Sequence, residues 1–244
     1  MRRTGSRVDI FDQDALSHGG YVYTSGGRLS SRLATTRSTD VILELGRFAG
    51  RSVLDMGCGD GFYTIQYWDA GRPRLLVGVD AARNAVRVAN DSKGTRPIRF
   101  AVGDIHRLPY ADDSFDVALL QSILHHDDDP EDIIREAFRI APEILLHEPN
   151  GYNAGLKLIE KVSRYHREHG EQSYSPRRLR GWIRKHGGRV CRQKFAGFVP
   201  MFCPDPMARA MKAVEPAVEA IGLVSSMLCA VYVVVAARPA RPAR

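Results

Sequence analysis

The chain has 244 residues, 44% of them hydrophobic and 26% charged, and a formal net charge of +7. That length suits one well-packed α/β domain with an elaborated lid, and that composition excludes a disordered or fibrous architecture. The four cysteines (Cys58, Cys191, Cys203, Cys229) lie far apart, with no two-residue spacing and no secretory leader ahead of them, which argues against a disulfide framework or zinc knuckle and fits a reducing cytoplasm.

In chain order, residues 1–35 mix Arg, Ser, Gly and Tyr without sustained periodicity and read as an N-terminal arm or lid. From Thr36, the capping residues Ser38-Thr39-Asp40 precede apolar positions at helical spacing up to Gly50, which predicts a helix before the first strand. Short runs rich in Val, Ile and Leu then alternate with amphipathic segments: Ser52–Met56, Leu75–Val79, Ile98–Val102, Phe115–Leu120 and Ile144–His147. Apolar runs of this kind suit strands buried on both faces of a parallel sheet, because helices cover both sides. Pro130 to Ile140 reads as a helix with Pro at its start and Ile133, Ile134, Ala137 and Phe138 on its apolar face.

Beyond Gly151 the rhythm changes. Leu156–His169 has a helical pattern, Ser175-Pro176 opens a second helix through Lys185, and Gly187-Gly188 stops it, so 151–186 is expected as a helical insertion over the site. The run Ala220–Ala237 is uncharged and sits at the lower threshold for a membrane span. Its β-branched cluster, Val231 to Val235, favours a buried strand after a helix or loop, so a membrane contact is disfavoured. The Pro/Ala/Arg tail, 238–244, is expected to be disordered. The fold class that follows is a Rossmann-like, doubly wound α/β sheet, with 36–237 as one domain.

Charge divides unevenly between the halves. Residues 1–150 carry 18 Lys/Arg against 22 Asp/Glu, whereas residues 151–244 carry 17 against 6. A basic second half can attract an acidic or lipid-linked ligand or nucleic acid, or can simply be a solvated face.

The chemistry-bearing segment is Asp55-Met56-Gly57-Cys58-Gly59-Asp60-Gly61. A strand runs into a loop with glycine at every second position, where a Cβ is expected to collide with a closely approaching ligand. The dinucleotide fingerprint wants its third glycine one residue later, where this chain has Phe62, so NAD is disfavoured. About twenty residues on, Asp80 ends the second strand, where a carboxylate can accept both hydroxyl protons of a ribose. Val102-Gly103-Asp104-Ile105 follows the third strand and offers a carboxylate and amides to an adenine edge. Cys58 reads as a small loop filler.

These motifs, together with Leu108-Pro109-Tyr110, Phe115-Asp116 and Leu124-His125-His126, resemble the class I S-adenosylmethionine-dependent methyltransferases, in particular the small-molecule group that includes the ubiquinone and menaquinone biosynthesis enzymes. The resemblance covers roughly Val41 to Asn150. It implies a mostly parallel seven-stranded sheet and S-adenosylmethionine as cofactor. It also implies that Asp55 and Gly57, Cys58, Gly59 and Gly61 hold the methionine moiety, Asp80 with Ala81 the ribose, Asp104 with Ile105 the adenine, and that Gln121 lines the methionine end.

Methyl transfer from a sulfonium is an in-line displacement, so alignment in a dry pocket does most of the work; a base helps only where the acceptor must lose a proton. Groups at the carboxyl ends of the strands are the candidates: His126 and Glu148 as base or anchor, and His125, Asn150, Tyr152 and His166 toward the substrate. Tyr165, His166, His169, Glu171 and Tyr174 are a candidate lid wall. Two His three apart with no further ligand read as a solvated helix face, so no metal site is expected. The leading expectation is methylation of a small molecule at O, C or N. Two alternatives stay open: an RNA or protein methyltransferase docking through the basic half, and a non-catalytic cofactor-binding scaffold. Nucleic acid is disfavoured because Gln121-Ser122-Ile123-Leu124 stands where base-amine methyltransferases often carry Asn/Asp-Pro-Pro-aromatic.

Overall fold

Each apolar run named above becomes a strand in the computed structural model, which describes residues 12–13, 15–17, 20–21, 27–162 and 172–239. The strands are β1 (Ser52–Met56), β2 (Leu75–Asp80), β3 (Arg99–Val102), β4 (Val117–Gln121), β5 (Glu143–Pro149), β6 (Arg189–Ala196) and β7 (Val231–Ala237). They form one seven-stranded sheet in the order β3-β2-β1-β4-β5-β7-β6. The pairs from β3 through β5 are parallel, and β7 runs antiparallel to both β5 and β6. The strand order reverses between β1 and β4, which is where open α/β sheets bind ligands.

Alternation along the strands supplies two cores. Leu54 and Met56 of β1, Leu146 of β5 and Val234 of β7 face one cluster, while Val53, Leu145 and Val235 face the other. Helices α1 (Leu29–Gly46) and α2 (Phe62–Gly71) cover the second face through Val41, Ile42, Leu45 and Tyr67. After α3 (Arg83–Ser92), helix α4 (Pro130–Ile140) covers the first face with Ile133, Ile134, Ala137 and Phe138, as its pattern predicts. Helices α5 (Ala154–Val162) and α6 (Pro176–Lys185) join β5 to β6; α7 (Asp205–Ala220) and α8 (Gly222–Leu228) join β6 to β7.

Several expectations are corrected. α1 begins at Leu29, so the end of the expected arm belongs to a helix. Its hydroxyls bond back along the helix, Thr35 Oγ1 to the Ser31 carbonyl (3.0 Å) and Thr39 Oγ1 to that of Thr35 (3.2 Å), which removes their usual competition with helical pairing. β3 is not buried on both faces: it is an edge strand, with Val102 exposed. β4 starts only at Val117, because Asp113 turns the chain through a left-handed conformation at φ 55°. α5 starts before Leu156, where Asn153 Oδ1 accepts the Leu156 amide at 3.0 Å; its expected continuation to His169 lies outside the described residues. The run from Ala220 forms α8 and then the buried strand β7, and no described helix is long and apolar enough to cross a membrane. At the start of the tail, Arg238 donates to the Phe138 carbonyl (2.7 Å) and pairs with Asp113; residues 240–244 lie outside the described set.

Candidate active site

At the switch point the loop after β1 is held from below: the Gly57 and Cys58 amides donate to the Val79 carbonyl at 2.7 and 3.2 Å. Gly57, Gly59 and Gly61 all have positive φ, at 83°, 53° and 77°, a conformation that disfavours any side chain. What a Cβ would strike is protein: Ile123 at Gly57, the Tyr21 ring at Gly59, and Ala89 and Phe100 at Gly61, all within 3.0 Å. The glycines therefore serve close packing of the loop against its own neighbours.

The carboxylates order the loop further. Asp80 Oδ2 accepts the Gly59 amide at 2.9 Å, and its Oδ1 accepts that of Ala82 at 2.8 Å. Asp60 Oδ1 accepts from Phe62 and its Oδ2 from the Tyr21 amide. Asp55 is buried and accepts the Thr64 hydroxyl at 2.6 Å; burial pushes its carboxyl up to about 7, and the nearby Asp80 adds to the shift. Burial also raises Asp80 and, strongly, the Cys58 thiol, so Cys58 is a protonated filler. Gln121 is buried beside Asp55 on the same sheet face and accepts the Tyr67 hydroxyl.

Toward β3, Asp104 is exposed and accepts the His106 amide and ring at 2.9 Å each, while the other ring nitrogen of His106 lies 3.0 Å from Asp127. Asp127 first, then Asp104, raises the imidazole to about 9, so it stands as a cation between two carboxylates. Ala81 is exposed and Ile105 half-buried along the same rim.

After β4 the candidates divide. Glu148 is fully buried: Oε1 accepts the Ile123 and Leu124 amides at 3.0 and 2.9 Å, and Oε2 lies 2.8 Å from His125 Nδ1. His126 is half-buried, with its ring centroid 3.9 Å from that of His125. His125 lines a cavity of about 350 Å³ with Asp127, Gln172, Tyr174, Arg178 and Trp182. Asn150 is buried elsewhere, donating to the Ser226 and Cys229 carbonyls at 2.9 Å each, and Tyr152 is exposed beyond it. His147, on the opposite sheet face from Glu148, is neutral, burial lowering it to about 4; its Nε2 has no partner among the described residues. His166 lies outside the described residues, as do the other candidate lid residues Tyr165, His169 and Glu171. Tyr174 is buried against Trp182 at 4.9 Å.

Sequence reasoning passed over Thr64, Tyr67, Asp60 and His106. Asp60 was legible, as an acid two residues before a helix amide, and so was the pairing of His106 with Asp104; Thr64 and Tyr67 meet their partners, and His106 meets Asp127, only through the fold.

A family of proteins described as "Methyltransferase domain" matches residues 54–143. The 27-O-demethylrifamycin SV methyltransferase of Amycolatopsis mediterranei (strain S699) is 30% identical over 174 residues, 64% of this chain and 62% of that protein. The chain thus spans less than two thirds of the length of that relative. Among solved structures, magnesium protoporphyrin IX methyltransferase from Synechocystis PCC 6803 with bound S-adenosylhomocysteine aligns with TM-score 0.70 at 16% identity, over 98% of this chain and all of that one. The [4+2]-cyclase SpnF aligns with TM-score 0.69 at 21% identity, over 96% of this chain and 95% of that one. The matched segment holds the loop after β1, Asp80, Asp104 and Gln121, so the switch-point residues of this chain lie within the stretch that is similar to the methyltransferase-domain family.

Proposed function

We propose that the protein transfers the methyl group of S-adenosylmethionine to a small-molecule acceptor at O, C or N. The observation that carries this reading is the convergence, at the one point where the strand order reverses, of the left-handed loop 57–61, the Asp80 carboxylate and the buried Gln121. Their chemistry fits the cofactor. Asp80 offers acceptors to ribose hydroxyls, the amides and carboxylates around Asp104 and Ile105 face an adenine edge, and Asp55 and Gln121 with the loop offer negative and dipolar groups to the methionine end. When bound, the cofactor supplies an electrophilic methyl on a sulfonium, displaced in line.

The chain's own contribution is alignment, worth on the order of 7–11 kcal/mol in favourable systems, and proton handling where the acceptor needs it. We assign the proton-accepting role to His125, which lines the cavity beside β4, and a positioning role to Glu148. With one oxygen fixed by two amides and the other on Nδ1, Glu148 sets the tautomer and orientation of the ring. His126, whose ring lies against that of His125 at a tilt of 43°, Tyr152 and His166 are assigned to the acceptor, which the basic half suits to an acidic or lipid-linked molecule.

Incubation with methyl-labelled cofactor and fractionated small-molecule extracts tests the reading. Label entering a soluble small molecule supports it; label entering only RNA or protein would replace it with the macromolecular reading, and tight cofactor binding without turnover in any fraction with the scaffold. His125→Gln in the same assay should lower kcat by about 10²–10⁴-fold if the acceptor is deprotonated, with cofactor affinity unchanged.

A further inference from the structure

Residues 172–204 contain eight Lys or Arg and no Asp or Glu. Five of the eight stand on the ten-residue helix α6. On its outer face Arg177, Arg178, Arg184 and Lys185, all exposed, surround a groove of about 440 Å³ with Gly181 and Trp182. Arg177 and Arg184 make no ion pair with any described residue. Arg178 is preset: its guanidinium carbon lies 5.1 Å from the Tyr174 ring centre and 4.9 Å from that of Trp182.

Gly181 is the telling residue. Glycine in a helix interior is unfavourable relative to alanine, and here it answers to no packing need: a Cβ would have nothing within 4 Å, and its φ is not left-handed. It lies four residues after Arg177 and three before Arg184, the two spacings that place helix residues side by side on one face. The two guanidinium groups therefore flank an open floor, and a single anion above Gly181 is within reach of both.

We propose that this groove is a binding site for a small phosphate or diphosphate ester. Arginine presents a planar fork of donors that matches phosphate geometry, and the groove is the size of small-ligand sites. Two features favour a small ester over a polymer. The helix is only about 15 Å long, and Trp182 is covered by Arg178 rather than open to stack a base. The carboxylates Asp127 to Asp129 lie in the adjoining cavity, with Arg178 and Trp182 forming the wall common to both, and of the groove's four cations Lys185 is paired with Glu131 at 2.5 Å. The site goes beyond the methyl-transfer reading and does not depend on it.

The test uses the full chain, with pyrophosphate as probe at constant ionic strength. Saturable shifts of the α6 backbone amides and arginine Nε–H resonances are expected at low millimolar pyrophosphate, with binding at least tenfold weaker in the Arg177→Ala/Arg184→Ala variant. Gly181→Ala should raise the Tm by about 2–4 °C and still weaken pyrophosphate at least threefold, a combination that misfolding cannot produce. Gly181→Ala binding as well as the parent, or sulfate at equal ionic strength giving the same shifts, overturns the site in favour of a solvated basic face. Single-stranded RNA or anionic phosphatidylglycerol vesicles engaging α6 where pyrophosphate does not would overturn it in favour of a macromolecular surface. Binding of S-adenosylhomocysteine by calorimetry, followed in parallel, reports on the methyl-transfer reading separately.

Discussion

Asp80 joins loop order to ligand affinity, since its two oxygens already hold the amides of Gly59 and Ala82. Asp80→Ala is expected to weaken S-adenosylhomocysteine by about 1–3 kcal/mol through lost charge-assisted bonds, read by calorimetry; an unchanged affinity would remove it from the site. Asp55 makes a second, electrostatic prediction. Its carboxyl is raised from the ordinary value to about 7 by burial, so the stability it contributes is full below about pH 4 and is lost as pH rises through 7. A cationic ligand beside it draws the group back to the ionised form. Binding of S-adenosylmethionine near pH 6.5 should therefore release a proton, seen as a dependence of binding heat on buffer ionisation enthalpy and absent in Asp55→Asn.

At the scale of elements, two polar ties fix the rim of the sheet. Asn150 joins the end of β5 to the turn between α8 and β7 through two donated bonds and accepts the Tyr152 amide at 3.1 Å. Asn150→Ala leaves these buried groups unpaired and should cost about 2–4 kcal/mol in urea unfolding, with cofactor affinity nearly kept. His106 ties the loop after β3 to the turn after β4 through Asp104 and Asp127. Its imidazole is raised to about 9, chiefly by Asp127; the stability it adds is complete below about pH 6.5 and disappears as pH rises through 9. A Tm falling across that window in the parent chain and flat in His106→Gln is the expected signature.

For the whole molecule, the described part of the N-terminal segment leans on the cofactor loop from outside the sheet. Asp12 accepts the Asn84 amide at 2.6 Å at the start of α3, Ala15 packs on Ala82 and Ala85, and Tyr21 lies over Gly59 while donating its amide to Asp60. No described residue among 1–27 belongs to either core, so the chain without 1–27 is expected to fold, yet to bind S-adenosylhomocysteine at least tenfold more weakly. Equal affinity would show that the loop is ordered from within.

Periodicity and local chemistry alone determined much of this protein: the five parallel strands, the apolar face of α4, the loop 57–61 and the acid that ends β2 are each written within a few consecutive residues. The spacing of Asp55, Gly57 to Gly61 and Asp80 was enough to disfavour a dinucleotide, and the family resemblance that these motifs carry implied S-adenosylmethionine. Only the tertiary structure decided what Glu148 touches. Its partners, the Ile123 and Leu124 amides and His125, lie more than twenty residues away, and no local pattern distinguishes a base from the carboxylate that orients one. The same holds for the exposure of β3, which follows from its place at the sheet edge, and for the packing of Tyr21 against Gly59. Contacts between distant segments depend on the register of the whole sheet, and a reading of consecutive residues carries no information about it.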